Sequence, residues 1–123
     1  MDIALWIVQI LLALAFLGAG IMKSTQPKDK LAANMAWVED FSPGTIRLIG
    51  VAEILGALGL ILPAVTGLAP ILVPLAATGL GVIMIGAVIT HARRKEPQMI
   101  VVNVVLLLLA VFVAWGRFGA YAF

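Results

Sequence analysis

The sequence contains no cysteine. Disulfide bonds, iron–sulfur ligation, thiolate metal sites and dithiol redox chemistry are therefore excluded within this chain. Charged residues are also scarce: they make up 11% of the chain, whereas a soluble domain carries about 25%. The formal net charge of +2 comes with no basic face and little aromatic interleaving, so no nucleic-acid partner is expected.

Motifs of soluble enzymes are missing as well. The sequence has no phosphate-cradling glycine loop, no Ser-His-Asp set and no paired carboxylates. A single histidine without cysteine makes a poor metal site, because zinc takes three or four protein ligands. Catalysis by this chain alone is not expected, and no cofactor is certain.

The residues that are present are mostly apolar. Hydrophobic residues make up 63% of the 123 residues, and the mean hydropathy is +1.17. A 13.0 kDa globule cannot bury so much apolar surface, which indicates a membrane protein. Four apolar runs are long enough, at about 1.5 Å per residue, to cross about 30 Å of hydrocarbon as helices. The runs cover residues 3–22, 46–62, 68–90 and 98–116. The start Met1-Asp2 is acidic, so the first run is interpreted as a retained span and not as a signal peptide.

We therefore predict an all-α membrane protein, residues 1–123 forming one domain, a four-transmembrane-helix bundle. Between spans one and two, a short amphipathic helix is expected to begin near Pro27 and to end at Ser42-Pro43-Gly44. It would lie in the headgroup region, and a lid over the bundle mouth is the alternative. Its apolar face consists of Leu31, Asn34, Met35, Val38 and Phe41, with Trp37 at the border. A tight connection between spans two and three is expected at Pro63, Ala64, Thr66 and Gly67.

Lysine and arginine are distributed unevenly between the two sides of this bundle. Seven of the eight flank the 23–45 and 91–97 connections, and only Arg117 falls on the opposite side. The positive-inside rule then places both connections in the cytoplasm and both termini outside the cytoplasm. The lipid bilayer is the certain partner, and a homo-oligomer or a partner membrane protein is a further possibility.

Glu53 lies well inside the second apolar run. An ionisable side chain at the centre of a membrane helix costs about 3 kcal/mol, so it needs a partner, a proton or water. Lys23 at the end of the first span and Arg47 at the start of the second are the candidate partners. Glu53 is either a proton carrier or ligand anchor, or one half of a structural ion pair.

His91 and Asn103 bring polar groups from the other two spans to the same half of the membrane. His91 is interpreted as a proton shuttle or as an ordinary interfacial residue of a basic run. Asn103 is interpreted as a helix–helix hydrogen-bonding residue or as a contact to a ligand carbonyl. We predict one shared polar cluster or ligand-binding site, consisting of Lys23, Arg47, Glu53, His91 and Asn103. The outer half shows little that is comparable, apart from Gln9 and Thr66.

Several blocks of the sequence resemble the DoxX-like family of small four-span bacterial membrane proteins. The blocks are Gly20-Ile-Met-Lys23, Gly50-Val-Ala-Glu53-Ile-Leu-Gly, Pro74-Leu-Ala-Ala-Thr-Gly-Leu80, His91-Ala-Arg93, Asn103 and Gly116-Arg117. The resemblance implies a four-helix bundle and a loose link to respiratory redox work, through association with quinol oxidase and thiosulfate:quinone oxidoreductase. It also implies membership of membrane complexes and, for distant animal relatives, a chaperone role in receptor assembly.

These observations leave several hypotheses open. The first is an accessory membrane subunit whose buried cluster binds a lipid-like or quinone-like molecule, or fixes the bundle for a partner. A proton-coupled small transporter using Glu53 and a membrane chaperone for partner proteins are alternatives. A quinone-linked enzyme subunit with His91 and Glu53 as proton relay is a further alternative. The sequence contains no haem, flavin or metal motif, so any redox role would depend on a bound quinone or a partner.

Overall fold

The apolar runs form helices because backbone amides in hydrocarbon must find partners within their own segment. A computed structural model describes residues 1–32, 35, 37 and 41–123. The helices are α1 (Asp2–Thr25), α2 (Lys28–Ala32), α3 (Pro43–Thr66), α4 (Leu72–Arg93) and α5 (Pro97–Phe118). All except α2 are long and apolar enough to cross a membrane. The prediction of an all-α protein with four membrane-spanning helices is confirmed.

The second span is longer than the sequence predicted. Its helix α3 has 24 residues, the same length as α1, and Pro63 lies buried inside it. The connection to α4 therefore begins later, at Gly67, whose φ of 74° is left-handed and whose N–H donates to the carbonyl of Pro63. Proline is tolerated here because neighbouring helices cover the backbone of a membrane helix.

Ser42-Pro43-Gly44 was predicted to end the amphipathic helix. In the structure Ser42 is instead the N-cap of α3. Its hydroxyl accepts a hydrogen bond from the amide of Thr45 at 3.2 Å, and Pro43 occupies the first helical turn. A serine cap followed by proline is a typical helix start, so the same residues that suggested a stop serve as a start.

The predicted amphipathic helix is present over Lys28–Ala32. Leu31 is fully buried and packs with Ile46, while Met35 lies outside any helix. The predicted helix therefore does not run unbroken to Phe41. Asn34 and Val38, which were assigned to its apolar face, lie outside the described residues.

The four long helices run alternately up and down, with α1 packed closely against α3 and α4 packed closely against α5. Helix α3 also contacts α4, and α1 meets α5 along the loosest of the four seams. The α1–α3 crossing is closest at two glycines: a Cβ on Gly20 would lie 2.6 Å from the carbonyl oxygen of Gly50. Gly56 packs against Leu80, and Gly59 against Ala76, so these small residues serve packing inside the bundle.

The main apolar cluster of the bundle includes Phe16, Leu60 and Leu80. Six polar or charged side chains are buried beside it: Gln9, Lys23, Glu53, His91, Asn103 and Arg117. Large aliphatic side chains also cover the outside, among them Ile3, Leu48, Leu68 and Val82. An apolar exterior is what a bilayer requires, since lipid tails replace water around it.

Candidate functional site

A cavity of about 430 Å³ lies between the four long helices, in the half of the bundle where α1 and α4 end and α3 and α5 begin. We call this half the basic half, because seven of the eight lysines and arginines lie at its end. Each of the four long helices contributes at least one polar residue to the cavity wall, and Met35, Trp37 and Phe41 contribute from the α1–α3 connection. The polar wall residues include Lys23, Glu53, His91 and Asn103. The rest of the wall is mainly apolar and includes Ala15, Phe16, Ala19, Ile49, Ile83, Met84, Ala87, Met99, Val102 and Leu106.

Lys23 and Glu53 form a buried ion pair in this wall. Lys23 Nζ donates to Glu53 Oε1 at 2.8 Å, and Glu53 is 1% exposed. The lysine ammonium also lies 5.2 Å from the ring centroid of Trp37, within the range of a cation–π interaction. The two opposite charges neutralise each other, so the pair adds polarity to the wall but no net charge.

Arg47, the other candidate partner of Glu53, is exposed and does not line the cavity. The reason is helical geometry. Arg47 precedes Glu53 by six residues, and a helix turns through about 100° per residue, so the two side chains point to different faces of α3. The predicted cluster of five residues is therefore a set of four in this structure.

Asn103 lies in the second turn of α5, lines the cavity and is 6% exposed. Its Nδ2 is buried and finds no hydrogen-bond acceptor among the described residues. Buried amides are nearly always hydrogen-bonded, because leaving one unpaired costs about 1–3 kcal/mol. Among the wall residues that the structure describes, Asn103 is therefore the one with a buried polar atom that has no hydrogen-bond partner.

His91 closes the cavity toward the basic end. Its Nδ1 lies 2.9 Å from Glu96 Oε1, and its ring stands edge-on to Trp37 with the centroids 6.4 Å apart. Sequence reasoning missed Glu96. Its position could have indicated the contact, because Glu96 lies five residues after His91 in the short turn between α4 and α5.

The opposite half holds a second polar network, which the sequence analysis did not anticipate. Arg117 is 2% exposed; its Nε donates to Gln9 Oε1 at 2.7 Å, and its Nη1 donates to Asp2 Oδ1 at 2.5 Å and to the carbonyl of Tyr121 at 2.9 Å. Gln9 in turn donates from Nε2 to the carbonyl of Leu60 at 2.8 Å. The expectation of an outer half with little polar structure was wrong, because a charge after the last apolar run looked like a surface residue.

The cavity has the size and lining of a small-molecule binding site. Among the described residues, no group of three or more His, Cys, Asp or Glu side chains is placed to hold a metal ion. The cavity combines apolar walls with a few polar groups at one end, and its volume falls within the range of about 300–1,000 Å³ usual for small-molecule sites.

Fold and cavity together define a four-helix membrane protein with an internal, polar-ended cavity. The sequence model of the DoxX-like family matches residues 7–113, and the chain belongs to that family. The match spans the polar wall residues of the cavity and ends before Arg117. Nothing among the curated proteins or the solved structures matches the chain.

Proposed function

We propose that this DoxX-like protein is a non-catalytic membrane subunit that binds a lipid-like molecule in the cavity of its basic half. A lipid-like molecule has an apolar body and a polar head, and these match the apolar and polar parts of the cavity wall. Apolar side chains from all four helices would cover the body, and the polar residues would meet the head.

The observation that carries the proposal is the unpaired amide of Asn103 in the wall of a cavity of about 430 Å³. A purely structural asparagine would be bonded to a neighbouring helix, as Gln9 is to Leu60 in the other half. Because Nδ2 is itself buried, the amide would turn toward the cavity to reach a partner there, and a bound group would supply the missing acceptor. The carbonyl of a membrane quinone is one head of this kind. A bound quinone would connect this chain to the respiratory redox work that the family resemblance implies.

We further propose that the basic half faces the cytoplasm of a bacterial inner membrane. Seven of the eight lysines and arginines lie at that end, and positive charge is retained on the cytoplasmic side during insertion. The bound molecule would then lie in the inner leaflet. A second copy of the chain or another membrane protein would pack against the apolar exterior.

The proposal is tested by native mass spectrometry of the protein released from nanodiscs prepared without detergent. We expect one lipid-like molecule per chain, retained after release. The variant Ala19→Phe places a ring in the cavity wall and should abolish retention. Ala4→Phe, an exposed position on the same helix outside the cavity, is the matched control and should retain the molecule. A wild-type protein that repeatedly appears without any bound molecule contradicts the proposal.

A further inference from the structure

The charges in the cavity wall limit what kind of head the site accepts. Among the described residues of the wall, Lys23 and Glu53 are the charged side chains, and they are paired with each other. His91 is bonded to Glu96, which lies outside the wall. A charged head group would therefore enter the cavity without a free counter-charge, and burying an unpaired charge is costly.

The unpaired group in the wall is a hydrogen-bond donor. Asn103 Nδ2 carries two hydrogens and is buried without an acceptor in the described part of the chain. An uncharged group with an acceptor oxygen, such as the carbonyl of an ester, ketone or quinone, satisfies this donor and disturbs no ion pair. Charge balance and donor chemistry thus point to the same class of head.

The cavity also has an opening toward the lipid. Three wall residues from the two helices that form the loosest seam are exposed: Ala15 of α1, and Met99 and Val102 of α5. In the other half this seam is tightly closed, since a Cβ on Gly116 would lie 2.7 Å from Leu5. The two helices therefore touch at one end and leave a gap beside the cavity at the other. Gly86 of α4, which is not part of the α1–α5 seam, is also exposed in the wall.

We infer that the cavity takes an uncharged amphiphile with a carbonyl-type acceptor in its head, which enters from the bilayer between α1 and α5 and bonds to Asn103. The tail then lies in the gap between these two helices, against Ala15 and Val102. This inference rests on the proposed function, and it adds the class of ligand and its route.

Photolabelling in vesicles tests the class of ligand. Four probes share one long alkyl chain with a diazirine: a methyl ester, an alkyl sulfonate, an alkyl trimethylammonium and the headless alkane. We expect the ester to label the cavity about tenfold more than the other three. The variant Asn103→Leu should lower ester labelling about tenfold, the factor that one net hydrogen bond contributes. Thr78→Val is the control, because its hydroxyl is bonded to the carbonyl of Pro74 outside the cavity; it should label like the wild type.

Two adjacent residues of α5 test the route. Val102 lines the cavity and is 49% exposed, while Val101 does not line it and is 63% exposed. Val102→Trp should reduce ester labelling several-fold, and Val101→Trp should not. The labelled peptides should come from α1 and α5.

Each other outcome has a definite meaning. Stronger labelling by a charged probe overturns the inference but leaves a ligand-binding cavity in place. Labelling that is blocked by Gly86→Trp and not by Val102→Trp would place the entry route beside α4, and this result also overturns the inference. Cavity labelling by none of the probes, together with no retained molecule in native mass spectrometry, removes the proposed function itself.

Discussion

Lys23 and Glu53 are 30 positions apart in the sequence, and their Nζ and Oε1 atoms are 2.8 Å apart inside the bundle. The close crossing of α1 and α3 creates this contact. Gly50 has no side chain, and a Cβ placed there would lie 2.9 Å from the Cβ of Lys23. The stem of Lys23 therefore passes over the backbone of α3, and its ammonium reaches the carboxylate one turn further along.

Removing either member of this pair should destabilise the protein. Lys23→Met and Glu53→Gln each leave one polar or charged partner buried without its counterpart, which costs about 3–5 kcal/mol when a buried pair is broken. The double variant removes both charges, and its free energy of unfolding should lie much closer to that of the wild type. Unfolding in mild detergent with increasing denaturant measures all three free energies.

Arg47→Met serves as the control for that cycle, since Arg47 is exposed and outside the cavity. Its free energy of unfolding should match that of the wild type. Purely additive losses for Lys23→Met and Glu53→Gln would contradict the pairing. Proton-coupled transport through Glu53 stays a separate prediction, and an uptake assay on Glu53→Gln would decide it.

The need of Glu53 for a partner could be predicted from its position alone, because an acid in an apolar run is costly wherever it points. The choice of Lys23 over Arg47 could not be predicted, because it depends on which face of α3 meets α1. The same limit applies to Arg117. It follows an apolar run and resembles a surface charge, and its partner Gln9 lies 108 positions away. Helix existence follows from composition, whereas pairing across helices follows from packing.

The unpaired amide of Asn103 should make a measurable difference to stability. Asn103→Leu keeps the branched shape of the side chain and removes the buried donor, so the ligand-free protein should become more stable by about 1–3 kcal/mol. Binding would fall at the same time. This opposite movement is the signature of a residue kept for a ligand and not for the fold.

The measurement is again denaturant unfolding in detergent, on protein stripped of lipid, with Thr78→Val as the reference substitution. A loss of stability in Asn103→Leu would mean that the amide already has a partner. In that case Asn103 is a structural residue, and the argument for a bound acceptor fails.

Two glycines on α1 should respond in opposite ways to the same change. A Cβ on Gly20 would lie 2.6 Å from the backbone oxygen of Gly50, and backbone cannot move aside cheaply. Gly20→Ala should therefore destabilise the bundle by about 1–3 kcal/mol, as overpacking does. Gly18 has nothing within 4 Å of that position, so Gly18→Ala should be neutral or gain up to about 1 kcal/mol from helix propensity. Equal effects of the two changes on thermal unfolding would show that the α1–α3 crossing lies elsewhere.

Arg117 should be as important for stability as the ion pair of the cavity. Its guanidinium bonds to Gln9, Asp2 and the carbonyl of Tyr121, and the ring of Phe123 lies 4.0 Å from its central carbon. Arg117→Met should cost about 3 kcal/mol or more, because it leaves the oxygen of Gln9 buried and unpaired. Arg117→Lys should not restore stability, since an ammonium cannot reproduce the planar fork of donors.

The exposed Arg93 provides the comparison for Arg117, and Arg93→Met should leave unfolding unchanged. Full rescue by Arg117→Lys would show that only the charge counts. The planar geometry of the guanidinium would then not be what holds α1 and α5 together.

The orientation of the bundle can be read directly, because the chain has no cysteine of its own. Single substitutions Leu68→Cys and Gln98→Cys place a thiol at exposed positions at opposite ends of the bundle. The basic end should lie in the cytoplasm, where Lys and Arg near span ends are retained. A membrane-impermeant maleimide should therefore label Leu68→Cys on intact cells, and Gln98→Cys only after the cells are opened. Both thiols should react equally in detergent, which controls for local reactivity. Labelling in the reverse order would place the cavity in the outer leaflet, and its ligand would then come from that side of the membrane.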